Sequence, residues 1–168
     1  MNRFGFSILS TLVTLALMPI GAAAQKSLKE QLVGSWVLVS SDTTPPTGAK
    51  RQDFGANPKG ILILDAGGRY AVVQGQTNRP KFKDTNNLRL GATDVEFAAA
   101  ARPFAANFGT WSVSEADKTL IRKYEIALIP NNDSLESKAS VSLSGDELKL
   151  ATTSPAGVRS DTVYRRAK

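Results

Sequence analysis

The chain has 168 residues, with 21 Lys or Arg against 15 Asp or Glu and a formal net charge of +6. It contains no cysteine and no histidine, which excludes disulfides, Cys- or His-ligated zinc and haem sites, and catalysis that depends on a histidine base. The basic residues are scattered rather than gathered in a stripe with aromatic residues, so we do not expect nucleic acid as a partner.

The N-terminus has the three parts of a secretory signal peptide. Arg3 precedes an apolar run from Phe4 to Ile20, and three alanines ending at Ala24 form an Ala-x-Ala cleavage site. Serines, threonines and a proline interrupt the run, whereas a membrane anchor needs about 20 consecutive apolar residues. The pattern predicts a signal peptide over residues 1–24, a periplasmic or secreted protein without a membrane span, and one mature domain over residues 25–168.

Two capping boxes predict two short helices. Ser27 and Glu30 begin the first, and Thr93 and Glu96 begin the second, which Pro103 ends. Eight β-rich runs separated by turn residues predict strands over residues 36–39, 60–64, 69–74, 108–114, 119–129, 137–143, 147–152 and 158–166. Two longer polar stretches, residues 41–59 and 75–92, are expected to be loops. Sequential strands with hairpin connections are typical of an all-β up-and-down barrel or a sandwich.

Several motifs, taken in order, resemble the bacterial lipocalin-like domain family. The first strand opens on Gly34-Ser35-Trp36, and Arg165-Arg166 closes the last. The other matching stretches are Phe54 to Gly60, Asp65 to Arg69, Gln74, Arg79-Pro80, Phe108-Gly109-Thr110, Pro130-Asn131 and Ser144 to Leu148. The resemblance implies an eight-stranded antiparallel up-and-down lipocalin-like barrel with one or two short helices. It also implies that Trp36 packs against Arg165 or Arg166.

One stretch departs from that family. Where the family carries a His-His-x-Glu sequence, this chain has Arg122-Lys123-Tyr124-Glu125 and keeps only the glutamate. Side chains alternate across a strand, so Arg122 and Tyr124 are expected to face the interior. Glu125 is then either an exposed ion-pair partner of Lys123 or, because the resemblance falls on it, a functional group.

The remaining candidate site residues lie on three other segments. Gln74 shares the inward face of its strand with Tyr70 and Val72, and a buried amide needs a partner. Arg79 lies in the second loop and is either solvated or at a cavity mouth. Trp111 is either a core residue or part of a cavity wall. Arg122 either forms an ion pair, sits at a wet barrel mouth, or anchors an anionic ligand, because an unpaired buried guanidinium is unfavourable.

Three functions remain open on this basis. The first is a module that binds a small, mostly apolar molecule, which can carry an anionic group, in a cavity covered by residues 75–92 and the helix 93–102. The second is a non-hydrolytic enzyme, such as an isomerase or cyclase, on the same barrel. The third is a secreted interaction or inhibitor protein with a packed barrel. We expect no cofactor and no metal, and a monomer or weak dimer. The side chains expected to line the interior are Tyr70, Val72, Trp111, Val113, Tyr124, Ile126, Val141, Leu148 and Leu150.

Overall fold

The computed structural model describes residues 26–84, 86 and 91–168, which form a closed antiparallel β-barrel. The predicted signal peptide lies outside the described residues. The described elements are α1 Leu28–Leu32, β1 Gly34–Thr44, β2 Arg51–Gln52, β3 Lys59–Leu64, β4 Arg69–Gly75, α2 Asp94–Ala101, β5 Phe104–Ser114, β6 Thr119–Ala127, β7 Glu136–Ser144, β8 Glu147–Thr153 and β9 Arg159–Arg166. A single 3₁₀ turn, Pro130–Asn132, follows β6.

Eight of the strands form the barrel, in the order in which they occur in the chain. Each of β3 to β8 pairs antiparallel with the strand that follows it, and β1 closes the ring by pairing with both β3 and β9. The ninth strand, β2, pairs with β1 at Asp42 and Thr43, beyond the point where β3 leaves it. The predicted eight-stranded barrel with two short helices is therefore confirmed, and β2 is an addition within a segment that was predicted to be loop.

The helices begin where the capping boxes predicted. The Ser27 side chain accepts from the Glu30 amide and the Glu30 carboxylate accepts from the Ser27 amide, and Thr93 and Glu96 do the same. The first helix is also held by Glu115, whose carboxylate accepts from the Leu28 and Lys29 amides at 2.9 and 3.0 Å. These bonds fix α1 across the end of the barrel at which β1 begins, which we call the closed end. The open end is opposite, where β1 ends at Thr44 and β4 ends at Gly75. No helix in the described part of the chain is long and apolar enough to cross a membrane.

A packed apolar core fills the closed half of the barrel. Its fully enclosed side chains are Leu32, Trp36, Leu62, Leu64, Leu120 and Leu148. The Trp36 indole donates to the Leu32 carbonyl at 2.8 Å, and the Arg166 guanidinium lies 4.0 Å from the centre of the Trp36 ring. Arg166 also donates to the carbonyls of Val33 and Gln31. The expected contact between Trp36 and one of the last two arginines is confirmed, and Arg166 is the one that makes it.

A β-bulge changes the alternation on β6. Phe108 of β5 pairs with Ile126 but Gly109 pairs with Tyr124, so Glu125 is an extra residue on β6. A Cβ at position 109 would overlap the carbonyl oxygen of Lys123, so only glycine allows the strands to approach at the bulge. Because the bulge reverses the alternation, Ile126 lies outside the barrel with 56% of its surface exposed. The prediction that Ile126 faces the interior was therefore wrong.

Candidate functional site

The open half of the barrel contains a cavity of about 280 Å³, which we call the inner cavity. Six strands and the β2–β3 loop contribute to its wall. The lining residues are Ser41, Thr43, Asp53, Phe54, Gln74, Arg122, Tyr124, Ser137, Leu150, Thr152, Ser160, Thr162 and Tyr164. The barrel is thus packed at one end and hollow at the other. The expected apolar lining is wrong for this half, because most of the wall is hydroxyl, amide or charged.

Alternation along β1 and β9 explains the hydroxyl groups. Ser41 and Thr43 are two residues apart on β1, as are Ser160 and Thr162 on β9, so each pair faces the same side of the sheet. The hydroxyls of Ser41 and Thr43 both donate to one carboxylate oxygen of Asp53 at 3.0 Å. This carboxylate also lies 3.7 Å from the Arg51 guanidinium, so its charge is compensated within the wall.

Arg122 is the cation of the inner cavity. It lies on β6, its guanidinium is 5.7 Å from the centre of the Tyr70 ring, and one of its terminal nitrogens donates to the Ser137 hydroxyl at 3.4 Å. Its buried Nε has no hydrogen-bond partner, and among the described residues Arg122 forms no ion pair with a carboxylate. A guanidinium held inside a barrel in this way retains donors for an anion.

Three tyrosines surround this cation. Tyr70 and Tyr124 make an edge-to-face contact with ring centres 6.4 Å apart, and the Tyr164 hydroxyl donates to the Gln74 side chain at 3.2 Å. Burial raises the pKa of Tyr70 and of Tyr164, although the positive charge of Arg122 opposes both shifts. Both phenols are therefore protonated at neutral pH. The buried Tyr70 hydroxyl and the Asn107 side-chain oxygen have no hydrogen-bond partner, although neither residue lines the inner cavity.

A second cavity of about 650 Å³, which we call the vestibule, lies outside the first. Asp53 and Phe54 line both cavities. The other lining residues of the vestibule are Arg51, Gln52, Ala98, Ala101, Arg102, Phe104, Ala105, Leu128 and Ile129. The alanines of α2 and the side chains beyond the end of β6 make this space largely apolar, in contrast to the inner cavity.

The loop that follows β4 is attached to α2. The Glu96 carboxylate accepts from the Lys83 amide at 2.9 Å as well as from Thr93, and Phe82 and Phe97 pack edge to face with ring centres 5.4 Å apart. The Thr93 amide, the Lys83 amide and the Thr93 hydroxyl all donate to the Glu96 carboxylate. These three hydrogen bonds lower the pKa of Glu96 to about 2. The expected cover formed by residues 75–92 is described only in part, because residues 85 and 87–90 lie outside the described residues.

Three of the six candidate site residues meet in the inner cavity, namely Gln74, Arg122 and Tyr124. The other three lie elsewhere. Trp111 is in the closed-end core, where its indole donates to the Asp65 carbonyl at 3.0 Å. Arg79 stacks on the Phe104 ring at 4.6 Å on the outer surface.

Glu125 is on the outer surface as well, and it makes a two-pronged ion pair with Arg69 rather than with Lys123. Those hydrogen bonds from Arg69 lower the pKa of the Glu125 carboxyl. The binding roles of these six residues stay predictions, but their positions separate an interior group from an exterior one.

Sequence reasoning missed Asp53, Phe54 and the ring of hydroxyls. The alternating pairs Ser41/Thr43 and Ser160/Thr162 were visible as polar residues on strands, and that signal could have predicted a polar interior at one end. Asp53 and Phe54 lie in a loop, so no periodicity could have placed them. Within residues 26–84, 86 and 91–168, no group of three or more acidic side chains could hold a metal ion.

Comparison with known proteins places most of the chain in one family profile. A profile described as a lipocalin-like domain matches residues 33–164. Among solved structures, a de novo designed fluorescence-activating β-barrel is 10% identical and covers 85% of this chain and 100% of its own, with a TM-score of 0.43. The fluorescent protein UnaG is 14% identical and covers 82% of this chain and 97% of its own, with a TM-score of 0.37. No curated protein matched the chain.

Proposed function

Since the chain belongs to the lipocalin-like domain family, we propose that it is a binding protein for a small amphiphile with one anionic group. The observation that carries the proposal is Arg122, a cation in the inner cavity with a buried, unpartnered Nε and, among the described residues, no carboxylate partner. A carboxylate or comparable head group there would accept charge-assisted hydrogen bonds from the guanidinium.

The two cavities fit the two parts of such a molecule. The inner cavity of about 280 Å³ is polar and suits the head group, with the side chains of Tyr124, Thr152 and Thr162 as further polar groups in its wall. The vestibule of about 650 Å³ offers alanine, leucine, isoleucine and phenylalanine side chains to an aliphatic tail. Ligand pockets in proteins commonly span roughly 300–1,000 Å³, so together the two spaces suit one small ligand.

Titration with the fluorescent fatty acid cis-parinarate tests the head-group contact. We expect saturable binding that weakens about tenfold or more in Arg122→Leu, because a hydrogen bond to a charged group contributes about 1.5–3 kcal/mol. Arg165→Leu removes the same charge from the outer surface and serves as the matched control. Equal binding by Arg122→Leu and wild type would remove Arg122 from the site. Failure of any apolar or amphiphilic probe to saturate would favour an interaction protein instead.

The vestibule is tested separately with Ala98→Trp. The indole would occupy space lined by α2, so binding of the long parinarate chain should weaken while hexanoate, read by competition, keeps its affinity. Unchanged affinity for parinarate would mean that the tail does not use the vestibule.

We also propose that the protein is exported and acts in the periplasm or outside the cell, as the apolar run and the Ala24 site indicate. N-terminal sequencing of the protein from the cell envelope should return a chain that starts at or near Gln25. A membrane-bound species that starts at Met1 would refute export by cleavage.

A further inference from the structure

Five neighbouring barrel strands, β1 and β3 to β6, carry apolar side chains on their outer surface. Two rows of outward side chains run across neighbouring strands in register, one from β1 to β5 and one from β3 to β6. We call them the apolar outer face, which consists of Val37, Ile61, Val73 and Ala106 in one row and Ile63, Ala71, Phe108 and Ile126 in the other. Five of these side chains, Val37, Val73, Ile63, Phe108 and Ile126, are 40–56% exposed.

The strand sequences show that this exposure is unusual. Residues 61–64 of β3 are apolar on both sides, which is typical of a strand that is covered on both faces. On the opposite side of the barrel, β7 places Lys138, Ser140 and Ser142 outward, so the alternation there is the ordinary one for a solvated surface. The sequence therefore favours a cover over the apolar outer face and none over β7.

The size of the face argues against a second copy of the chain as that cover. Five strands about 4.8 Å apart, with two outward rows, give a footprint on the order of 400 Å². A stable protein interface buries about 800 Å² on each partner, roughly twice this area. The face is also convex, so another barrel would touch only part of it.

The charges around the face argue in the same direction. Lys59, Arg79, Lys123 and Arg165 border it, and Arg165 pairs across the strands with Val37. None of the four forms an ion pair within the described residues, and the neighbouring Glu125 is already paired with Arg69. A second copy would bring like charges together, whereas an anionic surface complements them.

We propose that the apolar outer face docks on a bilayer that contains anionic lipids. The aliphatic side chains of the central strands and Phe108 enter the interfacial region, and Lys59, Arg79 and Lys123 meet head-group phosphates, whereas Arg165 on β9 lies farthest from the bilayer. A deformable lipid surface can cover a convex face that a rigid partner cannot. Beyond Ile126 the chain continues into Leu128 and Ile129, which line the vestibule. Docking therefore brings the mouth of the proposed ligand site to the bilayer, although membrane binding itself requires no ligand.

Vesicle co-sedimentation with the chain from Gln25 onward tests this, because the barrel is formed by residues after Lys26 and the apolar run of residues 4–20 would bind lipid by itself. Wild type should bind vesicles made of phosphatidylcholine with phosphatidylglycerol. Binding should be much weaker to vesicles of phosphatidylcholine alone, and much weaker to the mixed vesicles at 1 M salt. Lys59→Gln with Lys123→Gln should weaken binding about tenfold or more. Lys138→Gln with Lys149→Gln removes the same charge from the polar side and should bind as wild type does.

The apolar contribution is tested with Ile63→Ser combined with Val73→Ser, after circular dichroism shows that the variant is folded. This variant should lose vesicle binding while it keeps parinarate affinity in vesicle-free solution, so failure of docking and failure of the ligand proposal are separate results. Absence of binding to anionic vesicles, or equal loss in the Lys138/Lys149 control, would overturn the proposal. So would a concentration-dependent dimer in sedimentation that the Ile63/Val73 variant abolishes, since the second copy would then be the cover.

Discussion

Replacement of Trp36 by alanine tests whether the closed end of the barrel holds the fold together. The Trp36 side chain is fully enclosed, its indole N–H donates to the Leu32 carbonyl, and its ring is covered by the Arg166 guanidinium. Arg166 in turn donates to the carbonyls of Val33 and Gln31, which connect α1 to β1. One substitution thus removes a core side chain and the surface on which an ordered cation rests.

The magnitude follows from these contacts. Truncation of a buried large aromatic to alanine costs about 3–5 kcal/mol through lost transfer free energy and the cavity that remains. The cation–π contact contributes about 1–2 kcal/mol of this, since it is partly shielded from water. We expect a loss of about 4 kcal/mol for Trp36→Ala. Trp36→Phe keeps most of the buried surface and should cost about 1–2 kcal/mol, chiefly because the Leu32 carbonyl loses its donor.

Urea unfolding followed by far-ultraviolet circular dichroism measures both variants. With an m-value of about 2 kcal/mol/M, the midpoint of Trp36→Ala should fall by about 2 M and that of Trp36→Phe by less than about 1 M. A double-mutant cycle with Arg166→Leu should return a coupling of about 1–2 kcal/mol for the Trp36–Arg166 pair. A midpoint shift under about 0.5 M for Trp36→Ala would contradict the assignment of this residue to the core.

Two further predictions concern the bulge and the second helix. Gly109→Ala should lower the free energy of unfolding by about 1–3 kcal/mol, because a Cβ there would overlap the Lys123 carbonyl. A Gly67→Ala control, in a turn where a Cβ would meet only the Asp65 side chain at 3.5 Å or more, should cost less, and urea melts compare them. Glu96→Gln should speed amide hydrogen exchange at Lys83 and Thr93, because the N–H groups of both residues donate to the Glu96 carboxylate. Since the folded pKa of Glu96 is lowered from 4.5 to about 2, its stabilising contribution is present above about pH 4.5 and disappears as the pH falls toward 2. The melting temperatures of wild type and Glu96→Gln should therefore converge over that interval, and a constant difference would count against the role of Glu96.

Local signals in the sequence predicted the elements because their causes are local. The Ser27/Glu30 and Thr93/Glu96 capping boxes satisfy amide groups within the first helical turn, so no distant residue is needed to recognise them. The turn at residues 65–68 requires only its own glycines and the Asp65 side chain, which accepts from the Arg69 amide at 2.6 Å. The alternation that placed Gln74 and Arg122 inside the barrel depends only on the two-residue period of a strand.

The strand pattern by itself thus determined an all-β domain of sequential hairpins and the inward direction of Arg122, and the family resemblance implied its closure as a barrel near Trp36. The tertiary structure alone decided what those features produce. The bulge at Glu125 reverses the direction of Ile126 because of a close approach between β5 and β6 at Gly109, a contact that no single strand reveals. The inner cavity exists because residues far apart in the chain, among them Asp53, Arg122 and Tyr164, meet around the open half of the barrel while leucines and tryptophans fill the closed half. Packing of this kind depends on the complete set of neighbours, and only the folded chain brings that set together.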